Sequence, residues 1–275
     1  MKKILVASDL SIRSDRAVGR AVDLATRLGA ELSALHVVDS AMPADIARTV
    51  QASAQDKLER FIASRRGGEA LKPEVISLIG DPVQAIHETL KKSGADLLVL
   101  GVHRDRAFFD AIRETTMERV VRTSAKPVLL VKDPSDHEYA KVLAAVDMSP
   151  AAGRAIGSAH EIAPSAEFAL FHALHIPYRG LTGDANSAAS LQPYIEEAQA
   201  QIDEWIKAVA LPQSLPRPEI IEGSVNDVLN KMMARGKPDL LALGTHSHPG
   251  LVQRFLGGFA AGLLRRPPCD LLVSC

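Results

Sequence analysis

The stretch ILVASD at residues 4–9 decides the fold, because the chain repeats it later as VLAAVD at residues 142–147. A second stretch behaves in the same way: DLLVLG at residues 96–101 returns as DLLALG at residues 239–244. Each is a short apolar run that ends in a polar residue or a glycine, which is typical of buried parallel strands. The chain therefore carries the same strand-forming pattern twice, in the same order.

The repeat covers a whole domain. From Gly101 to Val131 the second copy aligns without a gap at a constant shift of 143 residues, far above the roughly 20–50 residues of a solenoid unit. The total of 275 residues accommodates two domains of ordinary size, which we place at residues 1–134 and 139–275. The junction at residues 133–136 leaves little free linker, so the two domains are expected to pack closely.

Each copy alternates short apolar runs with helical patterns. The runs are nearly continuous in Val, Leu, Ile and Ala, which suits parallel strands covered on both faces. Between them apolar residues recur about every 3.6 positions, as on the buried face of a helix. This predicts an α/β fold of two doubly wound, mainly parallel five-stranded sheets. The runs span residues 3–8, 31–38, 74–79, 95–101 and 127–132 in the first copy, and residues 141–147, 167–174, 218–222, 239–244 and 270–274 in the second.

The fifth run of each copy is short and apolar, with VLLV at residues 128–131 and LLV at residues 271–273. A bare strand of this kind at the edge of a sheet invites pairing. We therefore expect the two edges to meet inside the chain and form an internal pseudo-dimer. A homodimer, if the protein forms one, would then use another face.

Composition argues against several classes of partner. Aromatic residues make up 4% of the chain, too few for platforms that stack single-stranded nucleic acid. The net charge of −1 comes without a basic run, which argues against charge-driven binding to nucleic acid or membranes. No apolar stretch reaches the roughly 18 residues of a membrane span. Cys269 and Cys275 lie in one apparent strand, too far apart for a bridge, so we expect reduced thiols in a cytoplasmic protein.

The segment after the fourth strand of the second copy is the best candidate for a ligand site. In a parallel sheet, ligands bind beyond the carboxyl ends of the strands, where the ends of strands one and four should be neighbours. Here THSHPG at residues 245–250 is followed by a helix that begins near Gly257 and Gly258. Small residues expose backbone N–H groups and the helix dipole favours negative charge, which suits phosphate. Glycine at such a place is also ordinary turn chemistry.

These features together resemble the universal stress protein family. The resemblance rests on a first strand that ends in Asp, the Gly80-Asp81-Pro82 turn, the glycine after strand four, and a basic residue with proline before strand five, as in Lys126-Pro127 and Arg266-Pro267. Since it covers both copies, the chain resembles a tandem universal stress protein, with a Rossmann-like fold similar to that of adenine nucleotide alpha hydrolases. The resemblance implies a stress-response regulator or sensor that binds ATP or another adenine nucleotide, with Mg²⁺ present only alongside the nucleotide.

The second copy comes closer to the motif of the ATP-binding members, which is Gly-x2-Gly-x9-Gly-Ser/Thr after strand four. It has Gly244, Ser247, Gly257 and Gly258 in these places. Ser247 is a small replacement for glycine, and Gly258 loses one hydroxyl contact to phosphate without filling space. The second site is therefore predicted to be weakened but open.

The first copy departs further, with Gly101, Arg104, Glu114 and Thr115 in the same places. Arg104 adds bulk where a glycine would lie. Glu114 would bring a carboxylate to the helix start and satisfy the helix dipole itself, worth roughly 0.3–1 kcal/mol. The two side chains can also pair across the loop. We therefore expect the first site to be closed by its own residues.

The resemblance adds further positions of the second copy to the candidate site. In that family the Asp after strand one lies near the adenosine, and the residue after strand two contacts adenine through its backbone. Asp147 and Leu174 hold these places, although a turn aspartate and core packing explain them as well. His248 is expected to face solvent or phosphate. The candidate binding residues are Asp147, Leu174, Gly244, Thr245, Ser247, His248, Gly257, Gly258 and Phe259.

No other chemistry has a comparable motif. His246 and His248, with His103, are the best candidates for a metal site, but zinc needs three or four convergent ligands and no familiar spacing is present. A nucleophile elbow, a Walker lysine and a dinucleotide fingerprint are all missing, so we expect no enzyme, or at most a slow ATPase. Two alternatives to the nucleotide-binding regulator remain: an interaction protein of the same fold that binds no nucleotide, and the slow ATPase. The sequence identifies no protein partner.

Overall fold

The computed structural model of the chain describes residues 1–102, 115–134, 137–176, 188–245 and 258–275. Over these residues the chain forms one ten-stranded sheet with helices on both faces. The strands are β1 (Lys3–Ser8), β2 (Glu31–Asp39), β3 (Glu74–Gly80), β4 (Leu97–Gly101), β5 (Val128–Val131), β6 (Lys141–Ala145), β7 (Glu167–Leu174), β8 (Glu219–Glu222), β9 (Leu240–Gly244) and β10 (Asp270–Ser274). The helices are α1 (Ile12–Leu28), α2 (Ala44–Ala63), α3 (Gly68–Leu71), α4 (Pro82–Ser93), α5 (Thr116–Thr123), α6 (Pro150–Ile162), α7 (Ala188–Val209), α8 (Val225–Gly236) and α9 (Gly258–Arg265).

Each predicted apolar run forms a strand, and the boundaries differ by a residue or two. The first strand of each half ends before the aspartate that was expected to close it, because β1 ends at Ser8 and β6 at Ala145. The reason is local: Asp9 and Asp147 each accept a hydrogen bond from a backbone N–H two residues later. These bonds turn the chain out of the sheet.

The two halves join through their fifth strands, which confirms the predicted pseudo-dimer. The strand order is β3-β2-β1-β4-β5-β10-β9-β6-β7-β8, and among the described strands only the central β5–β10 pair is antiparallel. In that pair Leu129 lies opposite Leu272, which is its own repeat at the shift of 143 residues. A pseudo-two-fold axis therefore passes beside this pair and relates the two halves.

The helices divide between the two faces of the sheet, as in a doubly wound fold. α1, α2, α3, α6 and α7 pack on one face, and α4, α5, α8 and α9 pack on the other. α5 and α9 thus lie on the same face, and both pack there against the central strands β5 and β10. Among the described residues, no helix has the length and apolar character needed to cross a membrane.

A buried polar cluster at the junction ties the two halves together. One carboxylate oxygen of Asp270 accepts the backbone N–H groups of Lys132 and Asp133, at 2.8 and 3.0 Å. The other accepts the hydroxyl of Tyr139 at 2.6 Å and lies 3.5 Å from Nε of Arg20, whose guanidinium stacks on the Tyr139 ring. Burial raises the pKa of Asp270 despite these hydrogen bonds. The cluster draws on both halves, which accounts for the expected close packing.

Candidate functional site

The carboxyl ends of three adjacent strands meet at one edge of the second-half sheet. β6 pairs with β9 on one side, with Ala145 opposite Leu243, and with β7 on the other. The ends of the first and fourth strands are therefore neighbours, as predicted. The structure describes six of the predicted site residues: Asp147, Leu174, Gly244, Thr245, Gly258 and Phe259. Ser247, His248 and Gly257 lie outside the described residues, as do His103, Arg104, Glu114 and His246.

Asp147 forms the turn that follows β6. Its Oδ1 accepts the backbone N–H of Ser149 at 2.9 Å. Met148, between them, has a φ of 60°, a left-handed conformation that is uncommon for residues other than glycine. Ser149 then caps α6 by accepting the N–H of Ala152 at 3.0 Å. The position of Asp147 at the strand edge thus comes from its role in the turn.

The same turn recurs in the first half, after β1. Asp9 accepts the N–H of Ser11 at 3.0 Å, and Leu10 has a φ of 61°. Partial burial raises the pKa of Asp9, but hydrogen bonds from Ser11 and Ser14 outweigh it, so the pKa lies below its ordinary value. Both halves therefore keep an acidic turn at the carboxyl edge of the sheet.

Two ring side chains fix the turn after β6 from inside the protein. Nδ1 of His172 lies 2.8 Å from the carbonyl oxygen of Val146, and Nε1 of Trp205 donates to the carbonyl of Ser149 at 2.9 Å. His36 makes the equivalent contact with Ser8 in the first half, also at 2.8 Å. These histidines position the edge of the sheet, which gives them a structural role.

Gly244 and Thr245 mainly serve packing within the sheet. A Cβ atom at Gly244 would lie 2.4 Å from the backbone nitrogen of Ala152, so only glycine lets β9 approach the first turn of α6 this closely. Thr245 is buried, and its N–H and hydroxyl both reach the carbonyl of Ser274, at 2.7 and 3.3 Å. The Thr245 hydroxyl therefore points into the sheet.

Leu174 is the last residue of β7, and Phe259 lies in the first turn of α9. The carbonyl of Leu174 accepts the N–H of Gly223 at 3.1 Å, and its side chain is half-buried at the end of β7. The Phe259 ring packs against the apolar core beneath α9. Both residues therefore make contacts within the protein.

The two helix starts after the fourth strands differ sharply. In the first half the Thr115 hydroxyl accepts the N–H of Glu118 at 3.2 Å, and the Glu118 carboxylate accepts the N–H of Thr115 at 2.8 Å. This reciprocal pair is a capping box, and it satisfies two backbone donors at the start of α5. In the second half the repeat of Thr115 is Gly258 and the repeat of Glu118 is Ala261. Neither side chain can accept a hydrogen bond, so the described residues of α9, which begin at Gly258, contain no such capping box.

Glu118 is the residue of the site region that sequence analysis missed. It is almost completely buried, and it caps the start of α5; the role predicted for Glu114 is not tested, because that residue lies outside the described residues. The signal was present, because Thr-x-x-Glu is the signature of a capping box. Its second carboxylate oxygen accepts a hydrogen bond from Nε of Arg265, in the last turn of α9, at 2.7 Å. Glu118 therefore also connects the two halves.

The described residues contain no group of three histidine, cysteine, aspartate or glutamate side chains arranged to hold a metal ion. The two cysteines form no disulfide. Burial raises the pKa of Cys269 to about 12, with Asp270 adding to the effect, so this thiol is protonated at neutral pH and is a poor nucleophile.

Comparison with known proteins supports the duplication. The family model described as the universal stress protein family matches residues 1–132 and again residues 138–274. The universal stress protein A homolog 1 of Coxiella burnetii is 30% identical over 140 residues, which are 49% of this chain and 95% of that protein. A universal stress protein of Methanocaldococcus jannaschii is 29% identical over 143 residues, 48% of this chain and 83% of its own. The crystal structure of a universal stress protein from Archaeoglobus fulgidus is 20% identical, with a TM-score of 0.64 over 99% of this chain and 97% of that one.

Proposed function

This chain belongs to the universal stress protein family, and we propose that it binds an adenine nucleotide such as ATP in its second half and acts as a regulator or sensor in the stress response. The proposed site lies between the turn at Asp147, the end of β7 and the start of α9. Whether this site is occupied or empty determines how the protein acts on its partners. Its place of action is the cytoplasm.

One observation carries this proposal: within the described residues, the start of α9 has no counterpart of the capping box that closes the start of α5. The first backbone N–H groups of a helix have no partner inside the helix and need an acceptor. In α5 the acceptors are Thr115 and Glu118. In α9 the corresponding residues are Gly258 and Ala261, and a Cβ atom at Gly258 would meet no described atom within 4 Å. A phosphate group is the kind of acceptor that such a helix start binds.

The proposed site has no recognisable catalyst. Its described part offers main-chain donors, a turn aspartate and small residues, without a lysine or an acid–base pair placed at the start of α9. Phosphate contacts and proximity alone give slow turnover, so we propose that hydrolysis is barely above background and far below the roughly 1–10³ s⁻¹ of typical enzymes. A magnesium ion, where one is present, would arrive with the nucleotide.

A second function, that of an interaction protein without a nucleotide, is favoured by a different observation. Three groups at the edge are already engaged within the protein: the Asp147 carboxylate, the Thr245 hydroxyl and the Leu174 carbonyl. Fewer groups are then available to recognise the adenosine. In this case both halves would act through their surfaces. The capped start of α5 would then be the functional state of this region, without a bound nucleotide.

The test is ligand analysis followed by calorimetry on the full chain. Mass spectrometry of small molecules released from freshly purified, undialysed protein should detect an adenine nucleotide, and titration with ATP should give one site per chain. Gly258→Glu should abolish binding, because its carboxylate would occupy the helix start. Gly262→Glu is the matched control, since it adds the same charge one turn further along α9, where a Cβ atom also meets no described atom within 4 Å.

Two equivalent sites per chain, or equal losses from the two glycine substitutions, would contradict the proposed site. If the wild-type protein binds no nucleotide at millimolar concentration, the function of an interaction protein becomes the better interpretation. A steady hydrolysis rate near one per second that is lost in Gly258→Glu would instead identify an ATPase.

A further inference from the structure

Among the described strands, β3 and β8 are the two outer strands of the sheet, and each has a neighbouring strand on one side only. β8 has four residues with a glutamate at each end. β3 has seven residues, EVISLIG, and its single charge is at Glu74. Short length and charged side chains are common protections of an exposed sheet edge against pairing with another chain. β3 has little of either protection.

The backbone of Ser77, in the middle of β3, points away from the sheet. In the second half the N–H of Gly223, just after β8, donates to the carbonyl of Leu174 in β7 at 3.1 Å. Gly223 is the repeat of Gly80, the last residue of β3, at the shift of 143 residues. Backbone groups alternate in direction along a strand. Gly80 therefore directs its groups toward β2, and Ser77 directs its N–H and carbonyl outward.

A side chain of α2 occupies this outward carbonyl. Nε2 of Gln51 donates to the carbonyl oxygen of Ser77 at 2.6 Å. Because α2 packs on β2 and β3, the amide reaches the edge and takes the place that a backbone N–H of a neighbouring strand would take. Gln55, one turn further along α2, bonds instead to Glu59 of its own helix at 3.2 Å. The contact with the edge therefore belongs to Gln51.

The β3 edge is complementary to a second copy of itself. An antiparallel pair of β3 strands that uses the whole strand has its centre at Ser77, where two outward-facing residues meet. In this register the opposing pairs are Val75 with Ile79, Ile76 with Leu78 and Glu74 with Gly80. Apolar side chains then meet apolar ones, and no like charges lie opposite each other. Just beyond the strand ends, Lys72 of one copy would lie beside Asp81 of the other, which matches opposite charges.

Pairing would also cover two apolar side chains that are exposed in the single chain. Leu78 is 37% exposed and Ile79 is 42% exposed, and they lie on opposite faces of the sheet because neighbouring side chains alternate. Val75 packs into the core on the α2 face, and Ile76 packs into the core on the α4 face. In the pair, Ile79 would lie beside Val75 of the second copy, and Leu78 would lie beside Ile76.

The helices leave room for this pair. In the β5–β10 junction, the equivalent helices α5 and α9 lie on the same face of the sheet, and a β3 pair would place two α2 helices on one face in the same way. Neighbouring strands lie about 4.8 Å apart. A helix above the space between β2 and β3 would be about 5 Å from the axis of the pair, so the two α2 helices would be about 10 Å apart. Packed helices have this spacing.

We propose that Gln51 blocks this edge: by binding the Ser77 carbonyl, it prevents two copies of the chain from pairing through β3. Val75, Ser77 and Ile79 face outward in each copy, so a pair would form about six backbone hydrogen bonds, and about two of them would use the Ser77 carbonyls. Gln51 occupies these acceptors in both copies, at the centre of the pair. Without its amide, each carbonyl accepts the Ser77 N–H of the second copy. This inference does not depend on the proposed nucleotide site.

The experiment measures the self-association of the full chain by sedimentation over a range of concentrations. Gln51→Ala removes the donor, and Gln51→Met removes it while keeping the length of the side chain. Gln55→Ala is the matched control, because it removes the same amide from the same helix without touching β3. Leu78→Lys, alone and combined with Gln51→Ala, places a charge on the edge. Circular dichroism checks that every variant folds.

We expect both Gln51 variants to self-associate at least about tenfold more strongly than the wild type, because each pair regains two acceptors that were occupied. Gln55→Ala should associate within about twofold of the wild type, as surface substitutions away from a contact generally do. Adding Leu78→Lys to Gln51→Ala should return the association to the wild-type level, since a lysine on an edge strand opposes pairing. If Gln51→Ala does not fold, Gln51→Met decides the outcome.

Association of the Gln51 variants no stronger than that of the wild type would overturn the inference, and so would an equal increase in Gln55→Ala. If the association of Gln51→Ala survives Leu78→Lys, the contact uses another surface and the inference is wrong. A wild-type dimer that Leu78→Lys alone abolishes would also refute it, because the edge would then pair despite Gln51.

Discussion

Replacing Glu118 by alanine should destabilise the protein more than any comparable change on α5, because the buried carboxylate satisfies donors from both halves. Removal leaves the Thr115 N–H, in a buried residue, without its acceptor, which costs roughly 1–2 kcal/mol. The ion pair with Arg265 adds less, since 39% of the Arg265 side chain is exposed to solvent. We assign it about 0.5–1 kcal/mol after screening. Together the free energy of unfolding should fall by about 1.5–3 kcal/mol.

Glu118→Gln separates the two contributions. The amide oxygen can still accept the Thr115 N–H, so this variant should lose only the part due to charge, about 0.5–1 kcal/mol. Urea denaturation followed by circular dichroism measures both variants, and combination with Arg265→Gln completes a double-mutant cycle. The coupling energy between the two positions should be about 0.5–1 kcal/mol. A loss below about 0.5 kcal/mol for Glu118→Ala would mean that the carboxylate is not what closes the start of α5, and zero coupling would mean that it does not connect the halves.

Three other outcomes are expected. Each half expressed alone should self-associate through its exposed β5 or β10 edge, as measured by sedimentation; monodisperse monomers at high concentration would count against the strand junction. Because burial raises the pKa of Asp270 in the folded protein, its contribution to stability is full below about pH 4 and is lost as the pH rises through the folded-state pKa. Asp270→Asn does not titrate, so its free energy of unfolding relative to wild type should increase over that window in urea titrations, and a constant difference would refute this. Since burial raises the pKa of Cys269 to about 12, a thiol reagent at pH 8 should modify Cys275 first and Cys269 only on unfolding; equal rates would contradict the assignment.

Much of the fold was predictable from the sequence because the apolar runs of this chain are distinct and occur twice. A parallel strand covered on both faces needs a nearly continuous apolar run, and DLLVLG and DLLALG satisfy this need without ambiguity. The pairing of β5 with β10 also followed from physical reasoning, since two short apolar edge strands of one chain cover each other's exposed edges when they pair. The ends of β1 and β6 were less predictable. They depend on hydrogen bonds made by Asp9 and Asp147, which a pattern of hydrophobicity does not report.

The site was harder to predict, because its polar contacts join segments that are distant in the sequence. The ion pair between Glu118 and Arg265 spans 147 residues of sequence. In the buried cluster at the junction, Asp270 contacts Arg20, which lies 250 residues earlier in the chain. No local motif contains such pairs. The capping box of α5 was within reach of sequence analysis, since Thr115 and Glu118 have the required spacing. Glu114, one residue before the cap, lies outside the described residues, so its predicted role at the helix start stays a prediction.

The duplication lets the two halves differ at the helix start that follows the fourth strand, which two copies of one identical chain cannot do. In a symmetric dimer of identical chains, a glutamate at the position of Glu118 would close both helix starts, and an alanine at the position of Ala261 would open both. A tandem chain can carry one of each. The Glu118 carboxylate then stabilises the junction permanently, by the contacts made with Thr115 and Arg265. Under the proposed function, a bound phosphate would supply the missing acceptor at the start of α9, so occupancy of the site would add to the stability of the folded chain.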